Sequence, residues 1–146
     1  MSLNAVKPKS HSWVLVAPGA IDSVWELIAP GIEKALATSN GEATVEDTRA
    51  GLRAGRTQLM MLWQDGASLG IVFMMLNFPQ YKIARVLLAF GENMRLLADG
   101  MKAAEAWAKD QGCEYIEGWV ASRSRERLFA RFGYKPTYTI LRKALA

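Results

Sequence analysis

Few side chains in this sequence have the chemistry of a nucleophile, a proton-transfer histidine or a metal ligand. His11 is the only histidine and Cys113 the only cysteine. Because His11 falls in a polar N-terminal stretch, a catalytic triad or a histidine metal site would have to form on a loose arm. Cys113 follows Gly112 at a helix-to-strand turn and has no histidine nearby in sequence to act as its base, which favours a buried structural thiol. The sequence therefore predicts neither thiol catalysis nor a metal site.

A basic cluster is the second group of side chains with chemical potential. Arg123, Arg125, Arg127 and Arg131 follow one another closely, and the four-residue spacing of the first, third and fourth places them on one helix face. Such a face can bind a phosphate group of a cofactor or of nucleic acid, or it can be a solvated surface. No aromatic residues for base stacking accompany the arginines, which argues against nucleic acid as a partner. A solvated face is the interpretation we favour.

The composition is that of one globular domain. The chain has 146 residues, of which 51% are hydrophobic and 22% charged, and its net charge of +4 permits an anionic partner without requiring one. A single cysteine is typical of a reducing compartment, so we expect a cytoplasmic protein. The first residues do not show a basic stretch followed by an apolar one, so we expect no signal peptide. No apolar run is long enough to cross a bilayer.

Hydrophobic periodicity and turn residues predict the first half of the fold. Residues 1–11 form a loose arm, and residues 12–146 form the domain. A strand at Trp13–Val16 precedes a helix capped by Asp22, which Pro30-Gly31 should kink or split because proline lacks the backbone donor. Thr44 and Asp47 begin a second, short helix with a capping box.

The second half of the chain alternates between strands and helices. Apolar runs at 58–63, 69–78 and 83–90 predict an antiparallel meander covered on both faces. A long helix at 93–110, a strand at 115–120, a helix capped by Ser124 and a last strand at 137–141 follow. The predicted fold class is therefore α/β, a single domain with a mixed sheet flanked by helices in the order β-α-α-β-β-β-α-β-α-β. The strands at 83–90 and 115–120, joined by a crossover helix, should run parallel and diverge at their C-terminal ends.

Two stretches of the sequence resemble a known family, and they occur at the matching places in this order of elements. Residues 127–136 read Arg-Leu-Phe-Ala-Arg-Phe-Gly-Tyr-Lys-Pro, and residues 106–113 read Ala-Trp-Ala-Lys-Asp-Gln-Gly-Cys before a strand. The first resembles the late helix of the GNAT N-acetyltransferases, which reads Leu-Tyr-x-x-x-Gly-Phe, and the second resembles the end of their long helix. The whole span from Trp13 to Leu141 resembles the GNAT fold. The chain is identified as a divergent member of this superfamily. It resembles GNAT domains with degenerate motifs that bacteriophages encode.

The resemblance implies that acetyl-CoA is the cofactor and that it lies in a wedge between the strands at 83–90 and 115–120. Leu88, Ala89 and Phe90 would offer backbone groups to the pantetheine arm and the thioester. The pyrophosphate would lie at the N-terminus of the long helix, where free N–H groups and the helix dipole favour an anion. Arg95 and Leu97 occupy the family's motif positions there. On the late helix, Arg125 and Phe129 would face the cofactor.

The motif itself departs from the family pattern, Gln/Arg-x-x-Gly-x-Gly/Ala. Placed on residues 92–97, it has an acid at Glu92, while Arg95 and Leu97 replace the glycines. Many members carry a tyrosine on the late helix that protonates the leaving thiolate, and Phe129 stands at that position. We expect the side chains of Arg95 and Leu97 to crowd the phosphate and Glu92 to repel it. Weak or absent acetyl-CoA binding and slow or absent turnover are therefore predicted.

A base is also needed to take a proton from the acceptor amine. Glu92, Glu114 and Glu117 are the carboxylates nearest the wedge, and Glu92 is the candidate because it lies at the exit of the fourth strand. The alternative for Glu92, which we favour, is a stabilising charge at a helix N-terminus.

Two functions remain open from the sequence. The first is a CoA-dependent N-acyltransferase with a degenerate cofactor site, acting on a small-molecule or protein amine. The second is a catalytically inactive GNAT-fold protein with a binding or structural role of the bacteriophage type. Neither implies a membrane partner. An exposed pair of the tryptophans would mark a homodimer face.

Overall fold

The computed structural model describes residues 13–39, 41–64, 67–91 and 94–146. The predicted N-terminal arm, residues 65–66 and Glu92 lie outside the described residues. The strands are β1 (Val14–Val16), β2 (Gln58–Gln64), β3 (Ala67–Asn77), β4 (Lys82–Gly91) and β5 (Tyr115–Gly118), and the helices are α1 (Ile21–Leu36), α2 (Val45–Arg53), α3 (Leu97–Asp110) and α4 (Arg123–Arg131). Two short 3-10 turns, Pro18–Ala20 and Met94–Leu96, lead into α1 and α3.

The strands form one sheet in the order β1-β2-β3-β4-β5. The first four strands pair antiparallel in a meander, and β5 joins β4 in parallel. Parallel pairing follows from α3, which carries the chain back across the sheet between the two strands. The predicted fold class, a single α/β domain with a mixed sheet flanked by helices, is confirmed.

Each face of the sheet carries its own apolar cluster. On one face, the side chains of Leu59 and Met61 pack with α1 residues such as Ile28. On the other face, Met60 and Leu62 pack with α3 residues, and α4 adds partly buried apolar side chains. Successive residues of a strand point to opposite faces, so β2 supplies both clusters from one apolar run. The prediction of a sheet covered on both sides is confirmed.

The termini of α1 and α4 differ from those predicted. Ala20, not Asp22, is the N-cap of α1, because the 3-10 turn at Pro18–Ala20 begins the helical path earlier. Pro30 does not split α1; it lies on the exposed side of a continuous helix. Ser122, not Ser124, caps α4, since its hydroxyl oxygen accepts a hydrogen bond from the backbone N–H of Arg125 at 3.3 Å. The capping box of Thr44 and Asp47 is present as predicted.

The sixth predicted strand, residues 137–141, does not form. No residue beyond α4 is helical or in a strand. The stretch lacks a hydrogen-bonded neighbour within the described chain, and Tyr138 and Leu141 are 86% and 89% exposed. Strand-forming residue types are not sufficient without a partner strand, because an unpaired strand leaves its backbone groups to the solvent.

Small residues let helices and side chains approach the sheet closely. The ring of Phe90 fills the space next to Gly70 and Gly31. A Cβ atom at Gly31 would lie 2.8 Å from Cδ2 of Phe90. Similarly, Trp13 packs over Gly100 of α3, and a Cβ there would lie 2.6 Å from the Trp13 ring. Gly100 therefore allows the Trp13 ring to approach α3 closely.

Replacement of Gly70 tests this packing. In Gly70→Ala the added methyl group would overlap the Phe90 ring and approach Met61 Sδ to 2.6 Å, so the β4 end of the core must shift. We expect a loss of about 1–3 kcal/mol in the free energy of unfolding, measured by chemical denaturation. The matched control is Gly19→Ala, whose Cβ would meet no atom within 4 Å. Equal stabilities of the two variants would contradict the packing of Phe90.

Candidate functional site

A wedge opens in the sheet where β4 and β5 part. The two strands pair in parallel from Ile83–Tyr115 to Val86–Gly118. β5 ends at Gly118, whereas β4 continues to Gly91 along β3. Among the described residues, the stretch Leu87–Gly91 therefore has a strand on one side only, and its other edge presents free backbone N–H and C=O groups. The predicted parallel pairing and divergence of these strands are confirmed.

A β-bulge lies at the point of divergence. Val72 of β3 pairs with Leu88, but the next residue, Phe73, pairs with Val86. Leu87 is thus an extra residue in β4 with no partner on β3. A bulge bends its strand and increases the local twist, which turns the end of β4 away from β5.

The side chains of the three predicted β4 contact residues belong to the core. Leu88 and Phe90 pack in the α1-side cluster, and Ala89 packs in the α3-side cluster. Their side chains therefore point above and below the sheet. Only their backbone groups lie in the plane of the sheet and face the wedge. The role of Leu88, Ala89 and Phe90 in binding a cofactor stays a prediction.

The N-terminus of α3 follows the wedge. Its N-cap residue, Leu96, makes no side-chain capping hydrogen bond. Leu97 is only 3% exposed and packs in the α3-side cluster, as its apolar side chain favours, so it does not crowd a ligand at the helix terminus as the motif comparison had led us to expect. Arg95 is exposed on the 3-10 turn before the helix, whereas Asp99 places an acid in the first helical turn.

Helix α4 turns its apolar side inward and its arginines outward, as predicted. Leu128, Phe129 and Phe132 pack against the α3-side cluster. Arg125, Arg127 and Arg131 are exposed and, with Ser124 and Leu128, line an open hollow. The Phe129 ring packs edge to face with Phe132 and with Tyr134 at 5.7 and 5.4 Å between centroids.

Two other groups with protons to exchange are held in structural roles. The Tyr134 hydroxyl donates a hydrogen bond of 2.8 Å to Glu105 Oε2 on α3. Burial, together with this bond and the Glu105 charge, raises the pKa of Tyr134 far above its usual value of 10.0. Burial also raises the pKa of the Cys113 thiol, which lies 3.5 Å from Met75 Sδ. Cys113 is thus a protonated, partly buried thiol in the turn between α3 and β5.

Sequence reasoning missed one cluster beside the wedge. Arg85 Nε and one terminal nitrogen donate hydrogen bonds to Glu117 Oε1 at 2.9 and 2.7 Å. The Arg85 guanidinium also stacks over the Trp119 ring, 4.7 Å from its centroid. Trp119 is 60% exposed. The one available signal was the alternation of Glu117 and Trp119 along the strand predicted at 115–120. The contact with Arg85 depends on the register between β4 and β5, which the sequence does not contain.

This cluster lies on the α1 side of the sheet. Val86 and Ile116 pack in the α3-side cluster, so their neighbours Arg85 and Glu117 point to the opposite face. Glu117 immediately precedes Gly118, the last β5 residue paired with β4. A carboxylate therefore stands at the apex of the wedge. Both Arg85 bonds go to Oε1, and Oε2 accepts no hydrogen bond from the described residues.

The described residues contain no group of three or more His, Cys, Asp or Glu side chains that could hold a metal ion. No helix within the described ranges is long and apolar enough to cross a membrane.

Known proteins share this fold at low sequence identity. The ribosomal-protein-alanine N-acetyltransferase of Brucella melitensis biovar Abortus 2308 aligns with 94% of this chain and 100% of its own, at 10% identity and a TM-score of 0.69. An aminoglycoside acetyltransferase from an uncultured soil metagenomic sample, solved with sisomicin, aligns with 92% of this chain and 96% of its own, at 15% identity and a TM-score of 0.66. A GNAT family acetyltransferase of Staphylococcus aureus aligns with 93% of this chain and 99% of its own, at 16% identity and a TM-score of 0.58.

Sequence comparison adds nothing to these structural matches. No family model matches the chain, and no curated protein is similar to it in sequence. The chain has the fold of the GNAT acetyltransferases.

Proposed function

We propose that this protein is an acyl-CoA-dependent N-acyltransferase. The observation that carries the proposal is the wedge: β4 and β5 part at the Leu87 bulge and leave the β4 backbone open from Leu87 to Gly91. An extended, amide-containing ligand arm can add to such an edge as a strand would, through main-chain hydrogen bonds. The structural neighbours named as acetyltransferases support the same assignment.

The residues around the wedge fit acetyl-CoA as follows. The backbone at Leu88, Ala89 and Phe90 would bind the pantetheine arm, and N–H groups there would stabilise negative charge on the thioester oxygen. Bound acetyl-CoA supplies an activated acetyl group. The N-terminus of α3 and the guanidinium of Arg95 would hold the pyrophosphate, since a helix terminus and an arginine both favour anions. Arg125 would meet a phosphate at the α4 hollow. Because Leu97 points into the core, only the negative charges near this terminus oppose binding.

The acceptor amine would approach from the α1 side of the sheet, where Glu117 stands at the apex of the wedge. Its Oε2 atom is available to accept the amine proton, directly or through a water molecule. Arg85 and Trp119 hold the carboxylate in place through the contacts at Oε1 and the stacked guanidinium. Glu92, the base expected from the sequence, lies outside the described residues and stays a prediction. The acceptor would be a small-molecule or protein amine, the classes named for two neighbours.

Calorimetric titration with acetyl-CoA tests the cofactor site. Because Leu97 lies in the core, we expect saturable binding to the folded protein in place of the weak or absent binding predicted from the sequence. The affinity should be about tenfold lower in Arg95→Ala, equivalent to about 1.4 kcal/mol, because a charged partner of the pyrophosphate is removed. Lys102→Ala is the matched control: it removes an exposed cation from the same helix, one turn and more beyond the terminus.

The outcome also separates the two functions left open by the sequence. No heat of binding, with a cooperative melting transition showing that the protein is folded, would contradict the acyltransferase assignment. The non-catalytic GNAT-fold role would then stand in its place. Its supporting observation is that Phe129 carries no hydroxyl group and that Tyr134 is committed to Glu105.

Replacement of Glu117 tests the acceptor side. In Glu117→Gln the proton acceptor is lost while the side-chain shape is kept, so kcat for acetyl transfer to an amine should fall about 100-fold or more. Acetyl-CoA affinity should be unchanged, since the backbone of β4 is untouched. The control is Glu114→Gln, which alters an exposed carboxylate three residues earlier. Wild-type kcat in Glu117→Gln together with a loss in Glu92→Gln would assign the base to Glu92 instead.

A further inference from the structure

Exposed aromatic rings lie beside the wedge, on the α1 side of the sheet. Four of them are between 36% and 60% exposed, and we call them the aromatic face: Phe78, Tyr81, Tyr115 and Trp119. Tyr115 alternates along β5 with Ile116, which packs in the α3-side cluster, so Tyr115 points to the α1 side. Its ring contacts that of Tyr81 edge to face at 5.1 Å between centroids, and Tyr81 contacts Phe78 in the same way at 5.6 Å.

Helix α1 covers the other end of this side of the sheet. The α1-side cluster takes Val72, Leu88 and Phe90 from β3 and β4, but no described residue of β5 belongs to it. Farther along β3, Met74 and Leu76 point to the same side and are only partly buried. The aromatic face therefore continues an apolar floor that is open to a ligand, and exposed apolar surface of this kind marks binding sites.

The charges within this surface are few. Glu117 is the only acidic residue in the five described strands. It stands between Tyr115 and Trp119, each two residues away along the chain, a spacing of about 7 Å in an extended strand. Arg85 places one positive charge against it, 2.7 Å from Oε1. The apex of the wedge thus combines one carboxylate, one guanidinium and exposed rings.

Trp119 is held in position to meet a further ring. The Arg85 guanidinium lies over the indole, 4.7 Å from its centroid, and occupies one face of the ring. With 60% of the residue exposed, the remainder of the ring is open to a ligand. Aromatic rings pack favourably on one another in stacked or edge-to-face geometry, so this surface suits a flat aromatic group.

We propose that the acceptor is a small primary amine with a single positive charge and one aromatic group, joined by a short carbon chain. This inference rests on the acyltransferase function proposed above. The ammonium group would donate a hydrogen bond to Glu117 Oε2 at the apex of the wedge. The acceptor's ring would pack against Trp119 or Tyr115, on either side of that carboxylate.

The same charges disfavour acceptors with several positive groups. A polyamine or an aminoglycoside binds best where several carboxylates are available, whereas Glu117 is the single acid of the described strands and is already paired with Arg85. A second ammonium group near the apex would also approach the Arg85 guanidinium, and like charges repel most where solvent is partly excluded. The acceptor should therefore differ in class from that of the neighbour solved with sisomicin.

Calorimetric titration of two amines into the protein tests the acceptor class. Phenethylamine should bind about tenfold or more tightly than putrescine, which carries an ammonium group at each end and no ring. In Trp119→Ala the affinity for phenethylamine should fall about tenfold, because the ligand ring loses its partner. The matched control is Tyr138→Ala, which removes a ring that is 86% exposed outside the aromatic face and should leave binding unchanged. Equal affinities for the two amines, binding of neither, or wild-type affinity in Trp119→Ala would overturn the proposal.

Replacement of Arg85 tests the charge selectivity. In Arg85→Gln the preference for phenethylamine over putrescine should narrow by about tenfold, since no guanidinium repels the second ammonium group. Arg49→Gln is the matched control, because Arg49 makes the same kind of contacts elsewhere: it donates a hydrogen bond to Asp22 and lies 5.1 Å above the Trp25 ring. A preference that is the same in Arg85→Gln as in the wild type would contradict the role of Arg85.

Titration with acetyl-CoA separates this inference from the function on which it rests. The amines are titrated without cofactor, so each result is read independently. Acetyl-CoA binding without a preference for phenethylamine would overturn the acceptor class and leave the acyltransferase function standing. Binding of phenethylamine that is weakened in Trp119→Ala would support the aromatic face even if acetyl-CoA did not bind, and then only the acyltransferase function would be overturned.

Discussion

Leu87 is an extra residue in β4 with no partner on β3, and the pairing of β4 with β5 ends beside it, at Val86 and Gly118. The two observations have one cause, because a bulge adds twist to its strand and turns the following residues out of the ladder. Without that residue, β4 and β5 could continue as an ordinary parallel pair, and the backbone from Leu87 to Gly91 would be satisfied within the sheet. The candidate site is thus a defect in strand pairing supported on both faces by core packing.

The packing on each face keeps the open edge in place. The Phe90 ring is held between Gly31 of α1 and Gly70 of β3, while Ala89 packs on the α3 side. Since the side chains at the wedge are anchored above and below, the backbone between them is presented rigidly. The same arrangement explains how this fold tolerates Arg95 and Leu97 in place of glycines: one lies on the surface and the other in the core. The loss of both motif glycines is therefore compatible with an open β4 edge.

The sequence carries enough periodicity to predict all five strands of the sheet, the parallel pair and the capping box at Thr44. These features depend on local patterning and on the crossover helix. The sequence did not reveal the Arg85–Glu117–Trp119 cluster, because cross-strand neighbours depend on the register of the strands. It did not reveal the bulge at Leu87 either, because no distinctive residue type marks that position. The strand predicted at 137–141 did not form for a related reason: strand propensity is local, whereas a strand needs a partner that the described part of this chain does not place beside it.

Hydrogen exchange along β4, with and without acetyl-CoA, tests the wedge most directly. The account predicts that amides within Leu87–Gly91 exchange more slowly when acetyl-CoA is present, because the ligand takes the place of the missing strand. Amides of β2 should be unchanged, since β2 is paired on both sides already. Unaltered exchange in β4 at a saturating concentration of acetyl-CoA, or protection confined to α4, would contradict it.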